Sequence, residues 1–393
     1  MTTNSRPPLA GVRVVSIELA VAAPLCSRHL ADLGADVIKV EHPDGGDFAR
    51  SYDDAVLGQS AYFVWANRGK RSLALDLKSD AGRTAVERLL DTADVLLHNL
   101  SPGAMDRLGF DPGTVSRRWP ALVNCAISGY GASGPYADRK ALDLLIQGES
   151  GMLSVTGTPE EPCKVGISAA DMCAAMYALS SILAALHARQ STGLGDSIDV
   201  SMLESMADWM GAPLYLQMYR GSAPSRNGAR HNMIAPYGPY PTGDGAVVNL
   251  AVQTRAQWEG LCRIVLQLPE LITDERFRTN DARVRNGAEL DRVIEEVLAG
   301  HTGQSALQRL GDADIPCGEV RTLGGVLTHP QLEARGRWTS VSTPNGPVRA
   351  LASPFSVRGT GGTPGRVPAL GEDTAAILAE LGLDAAAGPS PAG

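Results

Sequence analysis

The sequence lacks the signatures of several common enzyme classes. None of its six cysteines belongs to a Cys-x-x-Cys pair or lies beside a histidine cluster, so we expect buried thiols in a reducing compartment and no zinc site. The turn after the first predicted strand, Glu18–Pro24, has no Gly-x-Gly-x-x-Gly spacing, which disfavours a nicotinamide or flavin enzyme. Neither Gly-x-x-x-x-Gly-Lys-Ser/Thr nor Gly-x-Ser-x-Gly occurs. A P-loop site and α/β-hydrolase chemistry therefore lose their best markers.

The chain also has no excess of positive charge and no apolar leader. Its net charge of −8 and its pI near 5.4 argue against a nucleic-acid partner or an anionic membrane, while a local basic pocket for a phosphorylated ligand stays compatible with them. The first eight residues lack an apolar signal core, and no apolar run approaches ~20 residues. We therefore expect a soluble cytoplasmic protein that binds neither nucleic acid nor membrane.

The first half of the chain alternates between strand and helix patterns. With 393 residues, of which 44% are hydrophobic, the chain can fill a core and form more than one domain. Short connections between the predicted elements indicate a parallel sheet, so this half is predicted to be α/β and Rossmann-like. The predicted strands are Val12–Ile17, Val37–Glu41, Ser72–Leu77, Asp94–Asn99 and Leu122–Ile127.

The composition changes near residue 219. Residues 219–230 are polar and rich in Gly and Pro, which is typical of a linker. A hairpin centred on Gly243–Gly245 and three amphipathic helical patterns follow, so residues 231–329 are predicted to form a smaller α+β domain. Near the C-terminus we expect a Gly/Pro-rich crossing over Gly359–Pro368 and a disordered Ala/Gly/Pro tail.

One acidic residue precedes a long apolar helical pattern. In Met172–Leu186, apolar residues recur at steps of three and four, which predicts a largely buried helix. Asp171 would lie at its start, where a carboxylate can accept free backbone N–H groups and lie near the positive end of the helix dipole. These residues alone leave two interpretations open: Asp171 is an ordinary N-cap, or it is a carboxylate nucleophile that forms a covalent acyl intermediate.

Seven short strings occur in one order along the chain, and in combination they closely resemble the family III CoA-transferases. This family includes formyl-CoA:oxalate and carnitine CoA-transferases and the related α-methylacyl-CoA racemases. The resemblance extends from about residue 8 to residue 383. The strings are Ala10–Val14, Leu33–Glu41, Asn67–Lys78, Asn99–Gly109, Ile127–Gly131, Leu142–Gly148 and Ile315–Gly318.

The resemblance implies a fold and a set of site residues. It implies a Rossmann-like large domain built from residues 1–218 and 330–393, joined to the smaller domain, and two subunits interlocked as a homodimer. The family's catalytic aspartate falls on Asp171, whose carboxylate the helix start is expected to hold ionised. For Arg71 and Arg107 the alternative is a solvated surface charge. The residues expected to bind coenzyme A are Val21, Ala22, His42, Arg71, Leu75, Lys78, Asn99, Leu100, Arg107, Lys140 and Asp143.

Three positions depart from the family's patterns. His42 stands where formyl-CoA transferases have an arginine near the CoA phosphates, so this contact is expected to be pH-sensitive. Leu142 replaces the histidine of the racemases, and Gln253 replaces their supporting glutamate. Racemisation needs two groups that exchange a proton on opposite faces of the α-carbon. An acyl-CoA racemase is therefore the weaker alternative, beside a CoA-binding protein without turnover in which Asp171 only caps its helix.

The resemblance also implies a chemistry. Asp171 would accept the acyl group of an acyl-CoA as an anhydride and then carry coenzyme A as a thioester, before an acceptor acid reverses the steps. The strings Glu18–Pro24 and Gly46–Arg50 look more like those of family members that act on C4–C5 dicarboxylic acids than like those of the formyl-CoA enzymes. The expected partners are thus acyl-CoA, a small carboxylic acid and a second copy of the chain. Coenzyme A is expected as a substrate, with no tightly bound cofactor and no metal.

Overall fold

The computed structural model of the protein describes residues 6–357 and 364–383. The predicted crossing Gly359–Pro368 lies partly outside these residues, and the tail after residue 383 lies wholly outside them. The strands are β1 (Arg13–Ile17), β2 (Asp36–Glu41), β3 (Lys70–Ala74), β4 (Val95–His98), β5 (Val123–Ser128), β6 (Ser197–Ser201), β7 (Tyr237–Pro241), β8 (Val247–Ala251), β9 (Cys317–Glu319), β10 (Trp338–Thr343) and β11 (Gly346–Leu351).

Helices connect most of these strands. Short 3-10 turns occur at Phe48–Ser51 and Pro269–Ile272, and a π-helical turn occurs at Leu261–Leu266. The α-helices are α1 (Ala22–Asp32), α2 (Ala61–Asn67), α3 (Asp80–Leu90), α4 (Ala104–Arg107), α5 (Pro112–Arg118), α6 (Asp143–Glu149), α7 (Met152–Val155), α8 (Ala169–Thr192), α9 (Met202–Trp209), α10 (Gly211–Arg220), α11 (Arg255–Gly260), α12 (Asn280–Arg285), α13 (Gly287–Leu298), α14 (Gly303–Asp312), α15 (Leu323–Leu327), α16 (Pro330–Ala334) and α17 (Thr374–Glu380).

The chain divides into two compact units. The first contains the described residues up to Ser150, Val165–Met210, and those from Leu332 onward. The second contains Gly151–Lys164 and Gly211–Gln331. The predicted domain bounds counted residues 151–164, 211–218 and 330–331 with the large domain, whereas here these residues cluster with the second unit.

A six-stranded parallel sheet forms the centre of the first unit. Its strand order is β3-β2-β1-β4-β5-β6, the order of doubly wound nucleotide-binding sheets. One face buries apolar strand residues such as Val15 and Ile38 under α3, α5 and α17, while α1 and α8 pack together and α8 also packs on β5 and β6. The predicted α/β fold with a large parallel sheet is thereby confirmed.

Helix α8 forms part of this packed unit. By length and composition it is also the one helix among the described residues that could span a membrane. Its buried positions include Cys173, Leu179 and Ile182, and the helix packs against α1 and β5. Packing of this kind is characteristic of a core helix.

The second unit contains a three-stranded antiparallel sheet, β7-β8-β9. Strands β7 and β8 form the hairpin predicted around Gly243–Gly245. Behind the sheet, the fully buried Trp258, Leu290 and Leu310 lie in one cluster with residues of the π-helical turn. A smaller unit with an antiparallel sheet and helices is therefore also confirmed.

Candidate active site

The order of the parallel sheet reverses between β1 and β4, so the loops after these two strands diverge there. Ligands of doubly wound sheets bind at this switch point, in the crevice outside the carboxyl ends of the strands. Asn99, the first residue after β4, joins the two loops. Its Oδ1 accepts the backbone N–H of Leu19 at 2.9 Å, and its Nδ2 donates to the carbonyl oxygen of Leu19 at 2.8 Å. The crevice therefore has a wall fixed by a pair of hydrogen bonds.

A cavity of about 880 Å³ lies at this edge of the sheet. Its wall combines the ends of β1, β4 and β5 with the start of α8, so parts of the chain that are distant in sequence meet there. The rings of Phe48, Tyr52 and Tyr62 add an aromatic side. Seven residues that the sequence analysis assigns to the site line this cavity: Val21, Ala22, Asn99, Leu100, Lys140, Asp143 and Asp171.

A second cavity, of about 480 Å³, shares Leu19 and Leu100 with the first. Its walls combine leucine side chains with basic groups, which suits a ligand that has both a flat apolar ring and phosphates. Arg83 of α3 lines this cavity as well. The sequence did not predict it as a site residue, because nothing distinguishes it from the other charged residues of an exposed helix. The expected site residues in this cavity are His42, Leu75, Lys78, Leu100 and Arg107.

Asp171 is the third residue of α8 and not its N-cap. Ser168 holds the N-cap position, and its side chain makes no capping hydrogen bond. Asp143, at the start of α6, caps α8 instead, because its Oδ1 accepts the backbone N–H of Ala170 at 2.8 Å. No hydrogen bond to the Asp171 carboxylate is present among the described residues. This carboxylate is therefore free to react.

Burial, together with the nearby Asp143 carboxylate, raises the pKa of Asp171 to about 7. This corrects the expectation that the helix start keeps Asp171 fully ionised. A helix dipole contributes about 0.3–1 kcal/mol, whereas a pKa change from 3.8 to about 7 corresponds to roughly 4 kcal/mol. Burial therefore outweighs the dipole, and near neutral pH Asp171 is divided between its charged and neutral forms.

Arg71 is the one expected site residue that lies in neither cavity. Its guanidinium is ion-paired with Asp36 at 2.8 Å and with Glu380 at 2.6 Å. Asp36 begins β2 and Arg71 is the second residue of β3, so this cluster lies at the amino edge of the parallel sheet, opposite the crevice. The structure therefore places Arg71 apart from the other expected site residues, in an ion-pair cluster.

Four buried charges beneath the crevice were also missed. Glu18, Lys39, Asp47 and Lys70 are all essentially inaccessible to solvent, and they form ion pairs of 2.9 Å (Lys39–Asp47), 3.4 Å (Lys39–Glu18) and 2.6 Å (Lys70–Glu18). One feature of the sequence could have indicated these buried charges: Lys39 lies in the middle of the largely apolar run Val37–Glu41. Buried charges of this kind are uncommon unless they are paired.

Comparison with known proteins places these features in a family. A sequence model of CoA-transferase family III matches residues 9–374. The chain is 35% identical over 391 residues to the succinate–glutarate CoA-transferase of Agrobacterium fabrum, and the match covers 96% of each protein. It is 34% identical over 355 residues to the acetyl-CoA:oxalate CoA-transferase of Acetobacter aceti, with 88% of this chain and 91% of that protein covered.

A solved structure agrees with these sequence matches. The crystal structure of a CAIB/BAIF family protein from Brucella suis has a TM-score of 0.84 and 36% sequence identity, and the match covers 96% of this chain and all of that one, 100%. The resemblance drawn from the seven strings is thereby confirmed over nearly the whole length. The chain belongs to CoA-transferase family III.

Proposed function

We propose that the protein transfers coenzyme A from an acyl-CoA to a dicarboxylic acid, with Asp171 as the covalent carrier. The observation that carries this proposal is the position of the Asp171 carboxylate. It is half-buried, has no hydrogen-bond partner among the described residues, and lines a cavity that shares Leu19 and Leu100 with a second cavity, whose lining includes three cationic side chains. A nucleophile for acyl transfer needs a reactive, shielded oxygen next to the bound thioester.

The second cavity suits the nucleotide end of coenzyme A. Lys78, Arg83 and Arg107 supply cationic groups for the diphosphate and the 3′-phosphate, and arginine matches phosphate geometry with two parallel hydrogen bonds. Leu75 and Leu100 supply apolar surface for adenine. The pantetheine arm would then pass the shared residues toward Asp171.

The chemical steps conserve the energy of the thioester. The Asp171 carboxylate attacks the thioester carbonyl, the C–S bond breaks, and an acyl–aspartyl anhydride and the CoA thiolate form. The thiolate attacks the aspartyl carbonyl and releases the donor acid, which leaves an aspartyl-CoA thioester. The acceptor carboxylate attacks that thioester and forms a new anhydride, and the thiolate then attacks its acyl carbonyl. This last step yields the new acyl-CoA and regenerates Asp171 without net proton transfer.

Two cations support a dicarboxylic acid as the substrate class. Arg139 and Lys140 line the Asp171 cavity, and within residues 6–357 and 364–383 neither makes an ion pair. The names of both relatives include dicarboxylic acids: succinate and glutarate for one, oxalate for the other. With one carboxylate of such an acid near Asp171, a cation elsewhere in the cavity can bind the second.

Trapping tests the covalent step directly. The protein is incubated with succinyl-CoA and hydroxylamine, and the modified residue is identified by peptide mass spectrometry. A hydroxamate on Asp171 is expected, together with loss of activity in Asp171→Asn and full activity in Glu204→Gln. Glu204 is a matched control because it is an exposed acid in the same first-turn position of α9. Full exchange activity in folded Asp171→Asn contradicts the proposal.

The interlocked homodimer stays a prediction, and we include it in the proposal. Its support in the structure is exposed apolar surface on α10, where Tyr215, Met218 and Tyr219 are all more than 60% accessible. Sedimentation analysis of the purified protein is expected to give the mass of a dimer at all concentrations tested. A monomer that remains active contradicts this part.

A further inference from the structure

The connection from β1 to α1 contains a residue in an uncommon conformation. Ala20 has a φ of +62°, in the left-handed region that residues with a Cβ rarely adopt. Such a conformation persists only where surrounding contacts impose it. The position matters because Leu19 lies in the walls of both cavities, and Ala20 and Val21 line the one that contains Asp171.

One carboxylate accepts the backbone N–H of this residue. Asp47 Oδ1 accepts the backbone N–H of Ala20 at 3.0 Å and that of Ala49 at 2.9 Å. The side chain thus joins the β1–α1 connection to the 3-10 turn that follows β2. Without an acceptor at this point, the N–H of Ala20 would lose its partner in the left-handed turn.

Buried charges hold Asp47 in place. Lys39 Nζ lies 2.9 Å from Asp47 Oδ2, and the backbone N–H of Asp47 donates to Glu41 Oε2 at 3.1 Å. Lys39 also contacts Glu18 at 3.4 Å, and Glu18 accepts from Lys70 at 2.6 Å. Burial acts to raise the pKa of Glu18, but Lys70 and Lys39 outweigh it and lower that pKa to about 2. Glu18 is therefore ionised at neutral pH.

Stability alone does not account for these charges. Buried ion pairs can often be replaced by apolar side chains of similar volume without loss of stability, because desolvation of the charges offsets their attraction. Here the strand alternation places Lys39, Glu41 and Lys70 on one face of the sheet, and both lysines contact Glu18. That arrangement provides a rigid support under the β1–α1 connection. An apolar cluster would have no directional bonds with which to orient this connection.

We infer that Asp47 is a positioning residue for acyl-CoA binding: it keeps Ala20 left-handed, so that Leu19 and Val21 hold their places in the walls of the two cavities. The inference rests on the proposed use of these cavities by acyl-CoA. It assigns Asp47 no contact with the substrate. Its effect is transmitted through one backbone N–H.

Four variants test the inference: Asp47→Ala, Ala20→Gly, the double variant, and Asp47→Asn. The Kd of coenzyme A is measured by calorimetry without turnover, and kcat and KM are measured with succinyl-CoA. Asp47→Ala is expected to raise Kd and KM about tenfold, with a smaller fall in kcat. Glycine adopts the left-handed region without a Cβ penalty, so the double variant is expected to recover most of the binding that Asp47→Ala loses. Ala20→Gly alone is the reference for that comparison.

Two results overturn the inference: an unchanged Kd in Asp47→Ala, or an equal loss in the single and double variants. A general loss of core structure would not be rescued by a glycine at position 20. If Asp47→Ala does not fold, the same comparison is made between Asp47→Asn and Asp47→Asn/Ala20→Gly, where rescue is again expected. If the protein binds CoA normally but forms no hydroxamate at Asp171, only the covalent mechanism is overturned. The Kd values of the Asp47 and Ala20 variants can still be compared in that case.

Discussion

Asp143 caps the helix on which Asp171 lies. Its Oδ1 accepts the N–H of Ala170, the residue directly before Asp171, while its Oδ2 accepts from Gln147 Nε2 at 2.8 Å. The capping carboxylate and the reactive carboxylate are thus held close together in one cavity wall. Repulsion between them adds to burial in raising the pKa of Asp171 to about 7.

The activity of the protein is expected to fall as the pH drops through about 7. The attacking form of Asp171 is the carboxylate, so protonation below its pKa of about 7 removes the nucleophile. The dependence of kcat/KM on pH reports the pKa of the free enzyme. In Asp143→Asn the capping oxygen remains but the charge is lost, so the acid limb is expected to move to lower pH. An acid limb near 4 in the wild type, or an unmoved limb in the variant, contradicts this account.

Replacement of Asp171 by Asn is expected to stabilise the fold at alkaline pH. The pKa of Asp171 is higher in the folded state (about 7) than its ordinary value of 3.8, so the unfolded chain loses its proton first as the pH rises. Folding stability therefore declines between about pH 4 and pH 7, by up to about 4 kcal/mol. The neutral amide is free of this loss. The gain in Tm of Asp171→Asn is expected to be larger at pH 8 than at pH 5, and a gain independent of pH would contradict it.

The sequence strings contain most of the residues that line the two cavities, but they could not show which end of a strand each residue occupies. Asn67–Lys78 contains both Arg71 and Leu75, four residues apart along a strand, or about 13 Å at ~3.3 Å per residue. That distance separates the two edges of the sheet, so only Leu75 reaches the crevice. The predicted strand Ser72–Leu77 began two residues late. It left out the charged residues Lys70 and Arg71, although Lys70 is buried against Glu18.

The buried network and the strand order illustrate what the pattern of residues leaves undetermined. Alternation of strand and helix indicates a parallel sheet, but the order β3-β2-β1-β4-β5-β6 depends on packing between distant elements. Likewise, Lys39 and Glu18 are 21 residues apart, and their pairing follows from the register of β1 against β2. No short stretch of sequence indicates the strand order or the pairing of Lys39 with Glu18.

Arg107 and Arg71 provide a matched pair for testing the nucleotide site. Arg107→Gln is expected to weaken CoA binding by about tenfold to a hundredfold, since a hydrogen bond to a charged group contributes about 1.5–3 kcal/mol. Arg71→Gln is expected to lower the Tm and leave the Kd unchanged, because Arg71 pairs with Asp36 and Glu380. Titration with 3′-dephospho-CoA then shows which phosphate Arg107 contacts. Equal losses of affinity in both variants contradict the placement of the nucleotide.

Arg139 is expected to select dicarboxylic acids. Its guanidinium lies 3.5 Å from the centroid of the Tyr136 ring, which leaves its edge N–H groups available, and it lines the cavity of Asp171. A second carboxylate on the acceptor would pair with it, whereas a monocarboxylic acid has no group to offer. Arg139→Gln is therefore expected to raise KM for succinate or glutarate about tenfold or more, with KM for succinyl-CoA and the rate with butyrate little changed. Arg139→Lys should recover part of the loss, because it restores the charge without the planar pair of donors. If butyrate and succinate lose equally, Arg139 supports the cavity in general and the dicarboxylate preference must come from another group, of which Lys140 is the next to test.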